Sequence, residues 1–405
     1  MKERFEAEVV VVGAGHAGGA CALSLRQLGF EGTITLLGEE AVPPYERPSL
    51  SKSYLDGTES QPKYLADIAT WSQRGVDLRL GSSAIAIRTP ERVVDLADGH
   101  SLGYRRLVIA TGGRPKSPFQ LRPNLRCLRT WADSKEIAEL ARRSSSVIII
   151  GGGVIGLEVG ATLRRLGLEV TIVETASRLM GRMVPPDVAA WMEAIHESAG
   201  CRILKNVRTI SSSSTENEVQ LLLANGEELR ADFAVVGVGI EPNVELAERA
   251  ALPSDNGILV DEEYRVSGVP DVFAIGDVAR VVGRPARDES WAHAEKSALV
   301  AARSVLRLPH ESDQIPWFWT SQFGHQLQVA GAPQNACRIV ERGPSRRLYL
   351  DNAGALIGCI MLDAPKEFAL AKKLIRERAV IDAERASTEQ VSLRSAVVER
   401  IDAAI

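Results

Sequence analysis

The sequence predicts an α/β protein with two Rossmann-like dinucleotide-binding domains and a C-terminal α+β domain. Three observations predict it. Val9–Val12 runs straight into a GxGxxG turn that opens a helical pattern. The same strand, turn and helix recur at Ser146–Ile150 and Gly151–Gly156. After Pro316 the pattern changes to short strand-like runs followed by one helix. Two complete fingerprints in one chain are far more specific than one.

In the first unit, roughly residues 6 to 40, the glycines have separate tasks. Gly13 makes the tight turn, Gly15 lets backbone approach a pyrophosphate, and Gly18 lets helix and strand pack closely. The helix start offers its N–H groups and dipole to phosphate. Thr33–Leu37 is the next strand, and Glu39 behind it is placed to bind a ribose.

The loop Pro43–Lys52 follows. Its prolines restrict neighbours to extended conformations. It is either a surface turn or a rigid arm that sets Arg47 and Lys52 beside a cofactor. Short strands are predicted at Leu78–Leu80 and Val93–Leu96, and a buried strand at Leu107–Gly113.

In the second unit the helix runs to about Leu166, and Val170–Val173 is a strand ended by Glu174. Asp232–Gly239 is a further β-run that closes in Glu241-Pro242-Asn243. Asp271–Asp277 is again a strand ending in glycine, with an acid directly behind it. Trp291–Leu306 reads as an alanine-rich helix. Past Pro316, strand-like runs at Gln326–Val329, Arg347–Leu350 and Leu356–Leu362 precede a helix from about Lys366 to Arg378. The charged stretch from Ala379 is expected to pack loosely or fray.

The bulk numbers bound the partners. The chain has 405 residues, too many for one core. A net charge of −4 argues against nucleic acid or an anionic membrane as the main partner. No apolar run approaches the roughly 18 residues needed to span a bilayer. The start, Met1–Glu6, is mixed in charge and lacks the apolar core of a signal peptide, so a cytoplasmic protein is expected. The five cysteines, Cys21, Cys127, Cys201, Cys337 and Cys359, form no CxxC pair and no metal spacing. All five read as packing residues, and no metal site is expected.

Together these motifs resemble the two-dinucleotide flavoproteins that include glutathione reductase. Within them, the chain is most similar to the FAD-dependent ferredoxin reductases of bacterial oxygenase systems. The resemblance rests on PPYERPSLSK at 43–52, ATGGRP at 110–115, LRT at 128–130, GGGVIGLE at 151–158, GIEPN at 239–243, AIGD at 274–277 and PWFW at 316–319. One departure is Ser49, where such reductases usually carry a second proline; it is expected to soften the loop by Lys52.

The resemblance implies FAD and NADH as cofactors. Gly13, Gly15, Ala17 and Gly18 would hold the FAD pyrophosphate and Glu39 the adenosine ribose. Arg47, the Ala84 backbone and Arg129 would contact its adenosine and phosphate part. Asp277 would bind the ribityl chain, as a carboxylate accepting from hydroxyls. The helix start at Trp291 would face the flavin N1–C2 edge. Gly151, Gly153, Ile155, Gly156, Glu174 and Arg182 would surround the NADH adenosine half, with Gly239 near the nicotinamide.

No cysteine pair of a disulfide or thioredoxin reductase is present, nor the loop cysteine of the related peroxidases and oxidases. The resemblance therefore implies hydride transfer from NADH to flavin N5. Single electrons then pass directly to a 2Fe–2S ferredoxin that feeds a Rieske dioxygenase or haem monooxygenase. Lys52 and Glu158 are the expected catalytic pair near N5, orienting and supplying charge; the plainer reading of Lys52 is a solvated loop lysine.

The expected domains are residues 1–113 and 245–315 for FAD, 114–244 for NADH and 316–405 at the C-terminus, with assembly as a monomer or homodimer. Trp317 and Trp319 share one side of an extended segment, as flavin or docking residues or as core aromatics. Other readings are a rubredoxin reductase, a monodehydroascorbate-type reductase, or a flavin redox sensor resembling apoptosis-inducing factor.

Overall fold

A computed structural model describes residues 7–215, 217–309 and 315–398. The chain divides into two compact units. The first comprises Met1–Lys116, Arg129–Trp131 and Gly239–Ser312. The second comprises Ser117–Leu128, Ala132–Val238 and Asp313–Ile405.

The first unit is built on a parallel sheet. The β-branched strand Ala7–Val12 lies between Ile34–Leu37 and Ser101–Ile109; Val76–Arg79 and Val272–Ala274 flank them. Strands buried on both faces read as near-continuous apolar runs, as Ala7–Val12, Ile34–Leu37 and Val272–Ala274 do. The register decides the chemistry. Val12 pairs with Leu37 and with Ile109, and Ile109 pairs with Ala274. The carboxyl ends of these strands therefore share one edge, which carries Gly13, Glu39 and the Gly276-Asp277 pair. The start of Ser101–Ile109 extends into an antiparallel meander with Val93–Leu96 and Ala84–Arg88. The small residues of the helix His16–Gln27 let it lie against the helix Trp291–Val305.

The second unit repeats the plan. Arg202–Leu204, Glu169–Val173, Ser146–Ile150, Phe233–Val236 and Leu125–Cys127 form a parallel sheet. Val173 and Val236 both pair with Ile150, so Gly151, Glu174 and Gly237 share its carboxyl edge. An antiparallel sheet of Thr209–Ser214, Val219–Leu223 and Glu228–Ala231 adjoins it. The C-terminal part is an antiparallel sheet, ordered Trp317–Gln322, His325–Gly331, Leu356–Leu362, Arg346–Leu350 and Arg338–Glu341, covered by the helix Pro365–Arg376. Among the described residues no helix is long and apolar enough to cross a membrane.

Three expectations are corrected. The stretch from Ala379 packs: Ile381, Ala383, Ala386, Leu393 and Ala396 are buried in the C-terminal core. Arg342 holds it there by donating to the Ala386 carbonyl at 2.9 Å and the Val391 carbonyl at 2.7 Å. Residues 399–405 of that stretch lie outside the described residues. The loop Pro43–Lys52 is not extended throughout, because Arg47–Ser51 is a 3₁₀ turn. Pro48 fits its first positions, where no N–H is needed. Ser49 lies inside this turn, its carbonyl accepting from the Lys52 and Tyr54 N–H groups. Cys337 is exposed rather than packed, since it leads into the edge strand Arg338–Glu341.

Candidate cofactor sites

The two fingerprints use their glycines in the same way. Gly13 has φ +110° and Gly151 φ +108°, a region L side chains avoid. A Cβ on Gly18 would collide with the Gly13 carbonyl oxygen, and one on Gly156 with that of Gly151. These glycines are demanded by the protein's own packing. Gly15 and Gly153 are not. A Cβ on Gly15 would meet nothing nearer than Arg47 Nη2 at 3.8 Å, and one on Gly153 nothing nearer than the Gly237 oxygen at 3.8 Å. Open space is kept at the second glycine of each motif, where a pyrophosphate would lie. Each glycine is also the N-cap of its helix, His16–Gln27 or Val154–Arg165. Neither helix has a side-chain cap or an acid in its first turn. Both ends are therefore suited to an anion, and a dinucleotide fits each cradle.

In the first unit, Arg129 Nη2 donates to Asp277 Oδ2 at 2.7 Å. Gly276 beside it donates its N–H to Ser297 Oγ at 3.0 Å, and a Cβ there would press on Ala17 at 2.8 Å. Arg47 donates to the Arg129 carbonyl, and through Nη2 to Glu40 at 2.9 Å. Tyr45 donates to the other oxygen of Glu40 at 2.7 Å and accepts from the Trp131 N–H at 3.0 Å. Burial pushes the Tyr45 hydroxyl well above its ordinary pKa. Thus Arg47, Arg129 and Asp277 are brought together. Glu40 and Tyr45, which sequence reasoning missed, anchor Arg47; the only signal was an acid three residues before the PPYER segment and the tyrosine within it.

Glu39 is exposed at the end of Ile34–Leu37, and Ala84 is half-buried at the start of its strand. Lys52 ends the 3₁₀ turn, with Nζ donating to the Pro48 carbonyl at 2.9 Å. Trp291 opens its helix, where Ser290 Oγ accepts from the His293 N–H at 3.1 Å. Burial holds the His293 imidazole below its ordinary pKa. Gly239, φ +105°, accepts from the Lys116 N–H at 2.9 Å within the same unit.

In the second unit, Glu174 is locked onto the fingerprint turn. One oxygen accepts from the Gly152 N–H at 2.7 Å. The other accepts from the Ala176 N–H at 2.7 Å and the Thr175 hydroxyl at 3.1 Å. Ile155, in the first turn of the helix, is 47% exposed although it is apolar. Arg182 is exposed, while Arg178 turns back to donate to the Gly181 carbonyl at 2.9 Å. Glu158 is 3% exposed and accepts from Thr320 Oγ1 at 2.7 Å. Thr320 accepts from Gln322 Nε2 at 2.9 Å, and Gln322 Oε1 lies 2.7 Å from His196 Nε2. Burial lowers the His196 pKa. Trp317 and Trp319 stack at 5.3 Å, and Trp317 packs on the C-terminal core.

Burial also silences four of the five thiols. It raises the pKa of Cys21 to about 12 and those of Cys127 and Cys201 to about 11, and raises that of Cys359 further. Thiolates, the nucleophilic form, are scarce at such values.

Residues 7–298 match the pyridine nucleotide-disulphide oxidoreductase family, and residues 317–397 match the reductase C-terminal family. The chain belongs to the pyridine nucleotide-disulphide oxidoreductase family. It is an oxidoreductase of the branch that carries the reductase C-terminal domain. It is 35% identical over 402 residues to the ferredoxin–NAD(+) reductase component of the p-cumate 2,3-dioxygenase system of Pseudomonas putida, spanning 96% of this chain and 98% of that one. It is 33% identical over 409 residues to the putidaredoxin reductase of Pseudomonas putida, spanning 96% of each chain. The fold matches the reductase chain in a covalent putidaredoxin reductase–putidaredoxin complex with a TM-score of 0.90 at 33% identity, covering 97% of this chain and 98% of that one.

Proposed function

We propose that this member of the family is an NADH-dependent ferredoxin reductase whose acceptor is a 2Fe–2S ferredoxin serving a Rieske dioxygenase or haem monooxygenase. The observation that carries the reading is two dinucleotide cradles in a chain whose family-typical thiol chemistry is missing, four of its five cysteines being buried. The full-length similarity to named ferredoxin reductases supports it.

FAD belongs at the first fingerprint, in a domain of about residues 1–113 and 245–315, and NADH at the second, in about 114–244. When bound, FAD supplies acceptance of a hydride from NADH and release of the two electrons singly. The chain's own residues do the rest. The helix starts after Gly15 and Gly153 bind pyrophosphate. Asp277, anchored by Arg129, accepts from the ribityl hydroxyls, with Arg47 and the Ala84 backbone toward the adenosine side and Glu39 on its ribose. The helix start at Trp291 sets a positive dipole end at the flavin N1–C2 edge. Ile155 and Arg182 border the NADH adenosine, and Gly239 the nicotinamide. Lys52 and Glu158 orient and charge the region near N5 without donating protons. The C-terminal domain, about 316–405, contributes to the ferredoxin face, and the protein works in the cytoplasm.

The test is direct. The purified protein should be yellow from non-covalent FAD, bleach when NADH is added without oxygen, and pass electrons from NADH to a 2Fe–2S ferredoxin. A colourless protein that takes up no FAD would overturn the reading.

A further inference from the structure

Glu158 belongs to a buried polar line. The line crosses three elements of the second unit: the helix Val154–Arg165, the strand Trp317–Gln322 and the helix Pro186–Ser198. Thr320 is 0% exposed, Gln322 2% and His196 0%.

The donors run in one direction. A carboxylate only accepts, so the Thr320 hydroxyl donates to Glu158. Its oxygen then accepts from the Gln322 amide nitrogen. That turns the Gln322 oxygen toward His196, which must donate from Nε2. His196 is thereby fixed as the neutral Nε2–H tautomer. Its Nδ1 is buried and has no hydrogen-bond partner among the described residues.

Such a line is a poor device for stability. Apolar residues of similar size would fill the same space without an orphaned ring nitrogen. What the line does provide is a fixed rotamer for one carboxylate.

We propose that Thr320, Gln322 and His196 are positioning residues for Glu158: they lock its carboxylate in the orientation that serves hydride transfer from NADH. The C-terminal strand thereby sets a group on the second fingerprint's helix. This rests on the placement of Glu158 given under the proposed function.

Anaerobic stopped-flow reduction of the FAD-loaded enzyme by NADH tests it. Thr320→Val removes the hydroxyl and keeps the shape. The limiting rate of flavin reduction should fall roughly tenfold, the ratio that corresponds to losing one hydrogen bond to a carboxylate. The dissociation constant for NADH and the FAD content should stay within about twofold of wild type. Thr320→Ser, which keeps the hydroxyl, should restore the rate to within about twofold. His196→Leu should slow reduction and His196→Gln, which can still donate to Gln322, should slow it less. Thr320→Val added to Glu158→Gln should cost no more than Glu158→Gln alone.

If Glu158→Gln is slow but Thr320→Val reduces at the wild-type rate, the positioning proposal is overturned and the role of Glu158 stands. If Glu158→Gln itself reduces at the wild-type rate, the placement of Glu158 falls and takes this proposal with it. If Thr320→Val fails to load FAD, Gln322→Met provides the same comparison one bond further from the carboxylate, and an unchanged rate there overturns the proposal.

Discussion

At the scale of single residues, two side chains make sharp predictions. Glu174 is held by two backbone N–H groups at 2.7 Å each, so its charge cannot swing away from a ribose beside the turn. A 2′-phosphate there would meet a carboxylate at short range. NADH should be preferred over NADPH by roughly a hundredfold in affinity, a few kcal/mol. Arg182 offsets part of this by pairing with the phosphate, whereas Arg178 is already engaged with Gly181. Glu174→Ala should weaken NADH, relieve the repulsion toward NADPH and narrow the gap. Steady-state constants for both nucleotides on both proteins check this, and equal efficiency in the wild type would sink the role given to Glu174. The second residue is His196. Burial lowers its folded-state pKa below the ordinary value of about 6.5, so on acidification the unfolded chain takes up the proton first. The stability it allows is complete above about pH 6.5 and is lost as pH falls below that toward the lowered pKa. Between pH 7.5 and 5.5, wild type should lose more stability than His196→Gln in urea unfolding.

At the scale of elements, the strand–turn–helix units separate what the fold needs from what the ligand needs. Gly18 is packed against the Gly13 carbonyl, and a methyl group there has nowhere to go. Gly18→Ala should destabilise the protein by about 3 kcal/mol, because backbone must move to admit the methyl. Gly15 sits in the extended region with φ −76°, and its Cβ direction is open. Gly15→Ala should therefore fold with stability within about 1 kcal/mol of wild type as apoprotein. It should bind FAD at least tenfold more weakly, because the methyl occupies the pyrophosphate's approach. Thermal unfolding of the apoproteins and FAD titration separate the two effects. If Gly15→Ala binds FAD normally, the pyrophosphate does not lie there.

At the scale of the whole molecule, the distribution of thiols decides the route of electrons. Cys21, Cys127, Cys201 and Cys359 are buried, each with its thiol pushed up by desolvation, and Cys337 is alone at an exposed strand entry. A variant with all five replaced by serine or alanine should retain NADH-to-ferredoxin turnover within about threefold, provided it folds. The buried sites favour alanine, because a buried unpartnered hydroxyl costs about 1–3 kcal/mol. A tenfold loss in a folded, FAD-loaded variant would reveal a thiol relay.

The sequence by itself determined the parts whose causes are local. Four consecutive β-branched residues before Gly13 make a buried strand, and the glycine spacing makes the turn; both follow from sterics within a few residues. The same reasoning found Ser146–Ile150 with its helix, and the helix that begins at Trp291. Resemblance singled out Arg47, Arg129 and Asp277 as cofactor contacts and Glu158 as the partner of Lys52. Only the tertiary structure decided their partners. Arg129 and Asp277 are 148 residues apart, and Glu158 and Thr320 are 162 apart, so no periodicity or spacing links either pair. Glu40 rather than its exposed neighbour Glu39 holds Arg47, because the Arg47 turn and Tyr45 converge on it. The charged stretch from Ala379 packs although its pattern is weak, because the C-terminal sheet and its helix offer an apolar face for its few small and branched residues. Local sterics fix which segments become strands, turns and helices. Burial, register and the satisfaction of polar groups across the fold fix which of their side chains meet.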